Sequence, residues 1–258
     1  MMYFYLSREP FTFHHLPNEI MKTLAKTLTL LFLSICLSNT YAQKIEEIRN
    51  VSGFKSIQSS SGINVFLKQG NVESVKVVAD KDKMSKIKTE KEGDILKIYA
   101  GDKKGWFNFD FSWNNDKAVN VYITIKELTG LSATGGSDVF SEGKLDLIKL
   151  ELKATGGSDI KLDLDTDELI CATTGGSDVI LSGTATVFRA TSTGGSDLKA
   201  SNLRTNFCSV SSTGGSDAYV WAEKEISISA TGGSDVYHKG NARVVSSSAT
   251  GGSDIHRK

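Results

Sequence analysis

The chain has 258 residues, 30 Lys and Arg against 30 Asp and Glu, and a formal net charge of zero. That length allows one elongated domain or two small ones. Balanced charge, with no basic run interleaved with aromatic residues, argues against a nucleic-acid binder.

Residues 21–42 carry the pattern of a secretory signal peptide. Lys22 and Lys26 form a basic start, and residues 28–37 are an apolar run too short to cross a membrane. Thr40-Tyr41-Ala42 then offers a small-residue cleavage site before Gln43. Translation is expected to begin at Met21, with residues 1–20 a mis-called start. Lipidation at Cys36 is the alternative, disfavoured by the bulk of Ile35. No later stretch is long and apolar enough to be a transmembrane segment. The protein is therefore expected to be exported, to the periplasm or the cell surface.

Residues 43–133 read as irregular strands. Phe54, Ile57, Ile63, Val65 and Leu67 give short alternating runs, followed by Val75, Val77 and Val78. Residues 80–88 suggest a helical turn with Met84 and Ile87 on one side. Gly93-Asp94 turns the chain into residues 95–99, and Val119, Val121, Ile123 and Ile125 alternate cleanly. This part is expected to cap the N-terminal end of the C-terminal half, residues 134–258, because uncovered strand edges aggregate. Within it, Trp106, Phe107, Phe109, Phe111 and Trp113 crowd one short segment. The favoured reading is that they cover an open apolar layer. The other is a ligand-binding surface for a glycan or an envelope protein.

From residue 134 onward one pentapeptide, Thr-Gly-Gly-Ser-Asp, recurs seven times unchanged. Its copies begin at Thr134, Thr155, Thr174, Thr193, Thr213, Thr231 and Thr250, at spacings of 21, 19, 19, 20, 18 and 19 residues. A fixed period near 20 marks a solenoid. Upstream of the motifs, Leu150 and Leu152, or Ile226 and Ile228, alternate with Glu151, Lys153, Ser227 and Ser229. Period two means strand. Five residues after each Thr the chain is always apolar, as Val139, Ile160, Val179, Leu198, Ala218, Val236 and Ile255. A polar bend often comes next, as at Gly143, Gly183, Asn202 and Gly240. Each coil should hold about three short strands. The fold class is all-β: a single-stranded parallel β-helix of residues 134–258, with 19–20-residue coils. The right hand is preferred, although the period does not fix it.

At each corner, Gly-Gly permits positive φ, and Ser and Asp can bond the backbone. Stacked coils then line up Asp138, Asp159, Asp178, Asp197, Asp217, Asp235 and Asp254. Strands ~4.8 Å apart put neighbouring carboxylates in repulsion by roughly 0.9 kcal/mol even at the dielectric of water. Backbone donors, hydroxyls or bound cations must offset this. Residues 134–258 carry 12 Lys and Arg against 16 Asp and Glu, a weak fit to cation binding. The ladder is therefore the candidate metal site, with calcium as the alternative cofactor to none.

Residues that signal catalysis are sparse. An Asp in every coil is more than a unique active site needs, and no carboxylate pair stands out for glycoside hydrolysis. His238 and His256 come just after the motif in the last two coils and are expected at the surface. Cys171 and Cys208 lie two coils apart, ~9–10 Å, beyond disulfide reach. Both are expected to be buried free thiols. A non-enzyme is the preferred reading, with a calcium-stabilised surface module or a polysaccharide-active β-helix enzyme as alternatives.

Ser61-Gly62-Ile63-Asn64-Val65, then Gln69-Gly70, Val75-Lys76-Val77 and Val121-Tyr122-Ile123-Thr124, resemble the head GIN domain of putative autotransporter adhesins. Gly62-Ile63-Asn64 would be the name-giving triplet. The resemblance covers essentially all of the chain after residue 42 and implies a β-helical envelope protein without established activity. The expectation is a non-enzymatic, exported scaffold or recognition surface, adhesive in character. Its flat ladder faces could also join copies into a homo-oligomer.

Overall fold

The computed structural model describes residues 22–23, 44–101 and 118–258. The signal-like segment and the aromatic group at Trp106, Phe107, Phe109, Phe111 and Trp113 lie outside the described residues, apart from Lys22 and Thr23. Gln43–Lys258 forms one compact unit.

The regular part is built from β9 (Val139–Thr155), β10 (Asp159–Thr174), β11 (Asp178–Gly194), β12 (Asp197–Gly214) and β13 (Ala218–Gly232). Each is one full coil, paired in parallel with its neighbours from one motif to the next. Sequence reasoning predicts three short strands per coil. Instead pairing runs through the bends, which survive only as register shifts, such as those between Lys161 and Asp163 and between Ile180 and Ser182. Stacked coils bend together, so the ladder of backbone bonds need not break. The last coil comprises β14 (Val236–Lys239), β15 (Arg243–Gly251) and β16 (Ile255–Arg257). Every residue of β15 is exposed.

Inward positions make one continuous core. Val65, Val121, Val139, Ile160, Val179, Leu198, Ala218 and Val236 are all fully or almost fully buried. Each large aliphatic side chain so buried contributes about 1.5–3 kcal/mol. Cys171 and Cys208 sit in this core. Burial pushes both thiols up to about 12. The same parity governs His238. It lies on the inward column with Leu162, Leu181, Ala200 and Val220 and is only 8% exposed, so the expected surface position is corrected. Burial, and then the charge of Arg257, holds its imidazole below the ordinary value.

Ahead of the regular coils the winding is out of sequence order. β2 (Ser56–Ser59) and β3 (Ile63–Gln69) form a coil that stacks on β8 (Gly130–Thr134) and β9. On its other side lie β6 (Ile95–Ala100) and β7 (Val119–Ile125), later in sequence but farther from the regular coils. β4 (Ser74–Asp80) pairs antiparallel with β7, β1 (Lys44–Arg49) with β4, and β5 (Ile87–Glu92) with β6. The expected helical turn is a single one, α1 (Lys81–Met84), because Ile87 already belongs to β5.

Candidate functional site

The pentapeptide corner explains the ladder. Gly156 and Gly157 have φ of 68° and 73°, a left-handed pair that only glycine adopts without strain. The Ser158 hydroxyl, fully buried, donates to the carbonyls of Ala133 and Thr155 and accepts the N–H of Thr155, all within 3.0 Å. Ser216 and Ser234 repeat the pattern. The serine column thus ties each bend to the coil before it.

The aspartates stack through backbone donors. Asp159 donates its N–H to Oδ1 of Asp138, and Asp178 to Asp159, Asp197 to Asp178, Asp235 to Asp217 and Asp254 to Asp235, at 3.0–3.4 Å. A carboxylate accepting an N–H gains about 1.5–3 kcal/mol, more than the repulsion at each of these five steps. One step also holds a built-in cation: Lys199 Nζ is 3.0 Å from Asp178 Oδ2 and 3.2 Å from Asp197 Oδ2. The stacking therefore has an explanation within the chain.

Two residues beyond the aspartates lies a second outward column. Phe66 stacks between Tyr122 and Phe140, and Tyr219, Tyr237 and His256 stack in turn at centroid distances of 4.7 Å. These rings spend their faces on one another, which leaves mainly edges for a ligand.

A larger concave feature than the one beside Phe66 and Tyr122 lies elsewhere. A groove of about 640 Å³ crosses the coils, and its lining includes Asp146, Ile148, Asp165, Asp167, Thr184, Thr186, Arg204, Asn206 and Glu223. Asp146, Asp165, Thr184 and Arg204 are register neighbours in four successive coils. Glu223 comes from the next. Inward residues Leu147, Thr166 and Ala185 pave the floor. The Thr184 hydroxyl donates to Asp165 Oδ1 at 2.7 Å and, with Lys144, holds that carboxyl below its ordinary value. Desolvation pushes Glu223 up, but the Trp221 N–H, Arg204 and Asn241 outweigh it and hold the carboxyl low. Four carboxylates face one guanidinium, so the groove repels polyanions and presents acceptors beside hydroxyl and amide groups.

The structure thus brings the seven predicted aspartates into one column. The groove residues were missed by sequence reasoning. Their only signal is a polar recurrence ten to thirteen residues after each Thr, blurred by unequal coil lengths.

Matched against protein families, residues 53–242 fit the model described as putative auto-transporter adhesin, head GIN domain. The chain belongs to that family. The head GIN domain fold recurs in solved structures. The crystal structure of a putative adhesin from Bacteroides fragilis is 23% identical, with a TM-score of 0.77, over 84% of this chain and 98% of that one. A putative adhesin from Parabacteroides distasonis is 17% identical with a TM-score of 0.67, covering 84% and 98%. A putative lipid binding protein from the same species is 17% identical with a TM-score of 0.66, covering 84% and 97%. These likenesses establish the shared fold. No curated protein matches the chain in sequence.

The triplet naming the head GIN domain has a structural meaning here. Ser59 pairs with Ala133 and Val65 with Val139, so Gly62-Ile63-Asn64 takes the place of Gly136-Ser137-Asp138. Gly62 N–H donates to Gly135 O, and Ile63 N–H to the Ser137 hydroxyl. The triplet is a pentapeptide corner in another spelling, with an asparagine continuing the aspartate column.

Proposed function

We propose that this head GIN domain is an exported, non-enzymatic recognition module of the bacterial envelope, adhesive in character, and that the acidic groove holds its ligand. The observation that carries the reading is the groove itself, a concave polar surface that runs across several coils. Its chemistry suits an uncharged, hydroxyl-rich chain such as a neutral glycan. Ionised carboxylates accept from sugar hydroxyls, while Arg204 and Asn206 donate. From Asp146 to Glu223 it spans four strand steps, ~19 Å, room for several sugar rings. The adhesin descriptions of the structural relatives support the same reading. The signal-like residues 21–42 support export to the periplasm or surface, as a scaffold presenting this face.

Two of the four groove carboxylates are ill suited to acid catalysis. A glycosidase needs one carboxyl raised to act as a proton donor. Asp165 and Glu223 are instead both held low.

A glycan array probed with residues 43–258 tests this. The wild type should bind a set of neutral glycans, and a Thr184→Ala, Asn206→Ala double variant should lose most of that signal. Binding unchanged in the variant, or no glycan bound at all, overturns the assignment. Capture of an envelope protein through the same residues would replace the glycan with a protein partner.

A further inference from the structure

The carboxylate column ends at a place where one coil of the same chain shows what belongs there. In the fourth coil the residue two after the aspartate is Lys199, whose ammonium sits between Asp178 and Asp197. In the last coil the same position is His256, and the two preceding rungs are Asp235 and Asp254. The two triads are equivalent by count: each has aspartates four residues after successive motif threonines, then a nitrogen-bearing side chain two residues on. One ligand atom from each of Asp235, Asp254 and His256 lies within 4.8 Å of the others.

The exchange of lysine for histidine changes the chemistry. An ammonium is itself the cation between two carboxylates. An imidazole instead brings a lone pair, a third donor beside the two carboxylates. We propose that Asp235, Asp254 and His256 form a surface site for a divalent transition-metal ion such as zinc. Two carboxylate oxygens and one imidazole nitrogen are an O₂N donor set, which suits zinc, nickel or copper better than calcium. Bonds of about 2.0–2.2 Å would draw the ligand atoms to within roughly 4 Å. Closure therefore takes a side-chain adjustment of about 1 Å.

The surroundings position the ligands. Asp235 Oδ1 accepts the N–H of Asp254 at 3.0 Å, while its Oδ2 accepts the Tyr237 hydroxyl over a long 3.5 Å. The His256 ring stacks on Tyr237 at 4.7 Å and 17°, which limits its rotation. Lys258 lies over the Tyr237 and Tyr219 rings. Asp254 and His256 lie beyond the residues that match the family, and none of the three ligands lines the groove. Three protein ligands leave coordination positions open to water or to a donor on another molecule.

Calorimetry with zinc chloride, on chelator-treated residues 43–258 free of any histidine tag, tests the proposal. One ion per chain is expected, with affinity falling at least about tenfold in His256→Ala and in Asp254→Asn. Lys199→His should add a second equivalent by recreating the triad with Asp178 and Asp197. A cooperative melt confirms that each variant is folded. Undiminished zinc binding by His256→Ala, no binding at millimolar zinc, or equal affinity for calcium overturns the proposal. A folded Lys199→His chain that still binds one ion overturns the equivalence on which it rests.

Discussion

The backbone N–H of Asp159 donates to Oδ1 of Asp138 over 3.2 Å, across 21 residues of sequence. That bond repeats up the stack and turns a column of like charges into a column of acceptors. Burial raises the Asp138 carboxyl above its ordinary value, the Asp159 N–H pulls it back, and the Asp159 charge raises it again. A carboxyl whose folded value exceeds its unfolded one destabilises the fold at neutral pH, and the penalty is relieved as pH falls through the folded value. Asp138→Asn keeps an oxygen acceptor and removes the charge. It should stabilise by a few tenths of a kcal/mol at pH 7, discounted for solvent screening. The gain should shrink as the pH is lowered through the folded value. Asp138→Ala removes the acceptor and should cost about 1 kcal/mol. Thermal melts of all three chains across pH 3–7 check both signs.

Gly183 sits at a bend with φ of 105°, and a Cβ there would lie 2.0 Å from the carbonyl oxygen of Leu164 in the coil beneath. Gly143 occupies a comparable bend at φ 92° with nothing within 4 Å of such a Cβ. Gly183→Ala should therefore cost upwards of about 3 kcal/mol, backbone strain and collision together. Gly143→Ala should cost only about 1–2 kcal/mol. Urea unfolding of the two variants separates the contributions.

Ser61 is the one non-glycine residue with positive φ among those described, at 70°, where the next coil has Gly135 at 61°. Holding a side chain there costs about 1 kcal/mol. Glycine would remove that strain but loosen the unfolded chain. Ser61→Gly should therefore stabilise by roughly 0.5 kcal/mol. The reverse exchange, Gly135→Ser, should destabilise by about 1 kcal/mol. Paired melts under one buffer read both.

These corners mark what was legible in the sequence. The period, the inward columns and the aspartate stack follow from strict repetition, because a residue at a fixed count from each Thr must share one face. The coil of β6 and β7 was not legible. β6 and β7 come after β3 in the chain yet stack outside it, and nothing in the spelling of residues 95–125 states that order. His238 was misplaced for a local reason: its neighbours Tyr237 and Lys239 are polar-tipped, and only the parity of the column turns it inward. The groove escaped notice because Asp146, Asp165, Thr184 and Arg204 share a position without sharing a chemistry. Asp235, Asp254 and His256 become a triad only when two coils are laid together and compared with Lys199.

Cys171 and Cys208 provide the last test, because they report on the coils rather than on any ligand. Both are buried, in register with Ala190 and Phe188 of the coil between them, and both thiols are pushed up to about 12 by burial. A thiol reagent attacks the thiolate and needs access to it. At pH 8 the folded protein should leave both cysteines unmodified for hours, and labelling should appear only as denaturant opens the coils. Because the cysteines sit in the third and fifth coils, their labelling rates also measure cooperativity. Parallel rise of both means that the stack opens as a unit. An earlier rise at Cys208 means that opening begins from the C-terminal coils, where β15 is exposed throughout. Replacing Cys171 with Ser would put an unpaired hydroxyl in its place and should cost about 1–3 kcal/mol, whereas Cys171→Ala should cost less. Rapid labelling of either thiol in the native protein would contradict the continuous apolar core.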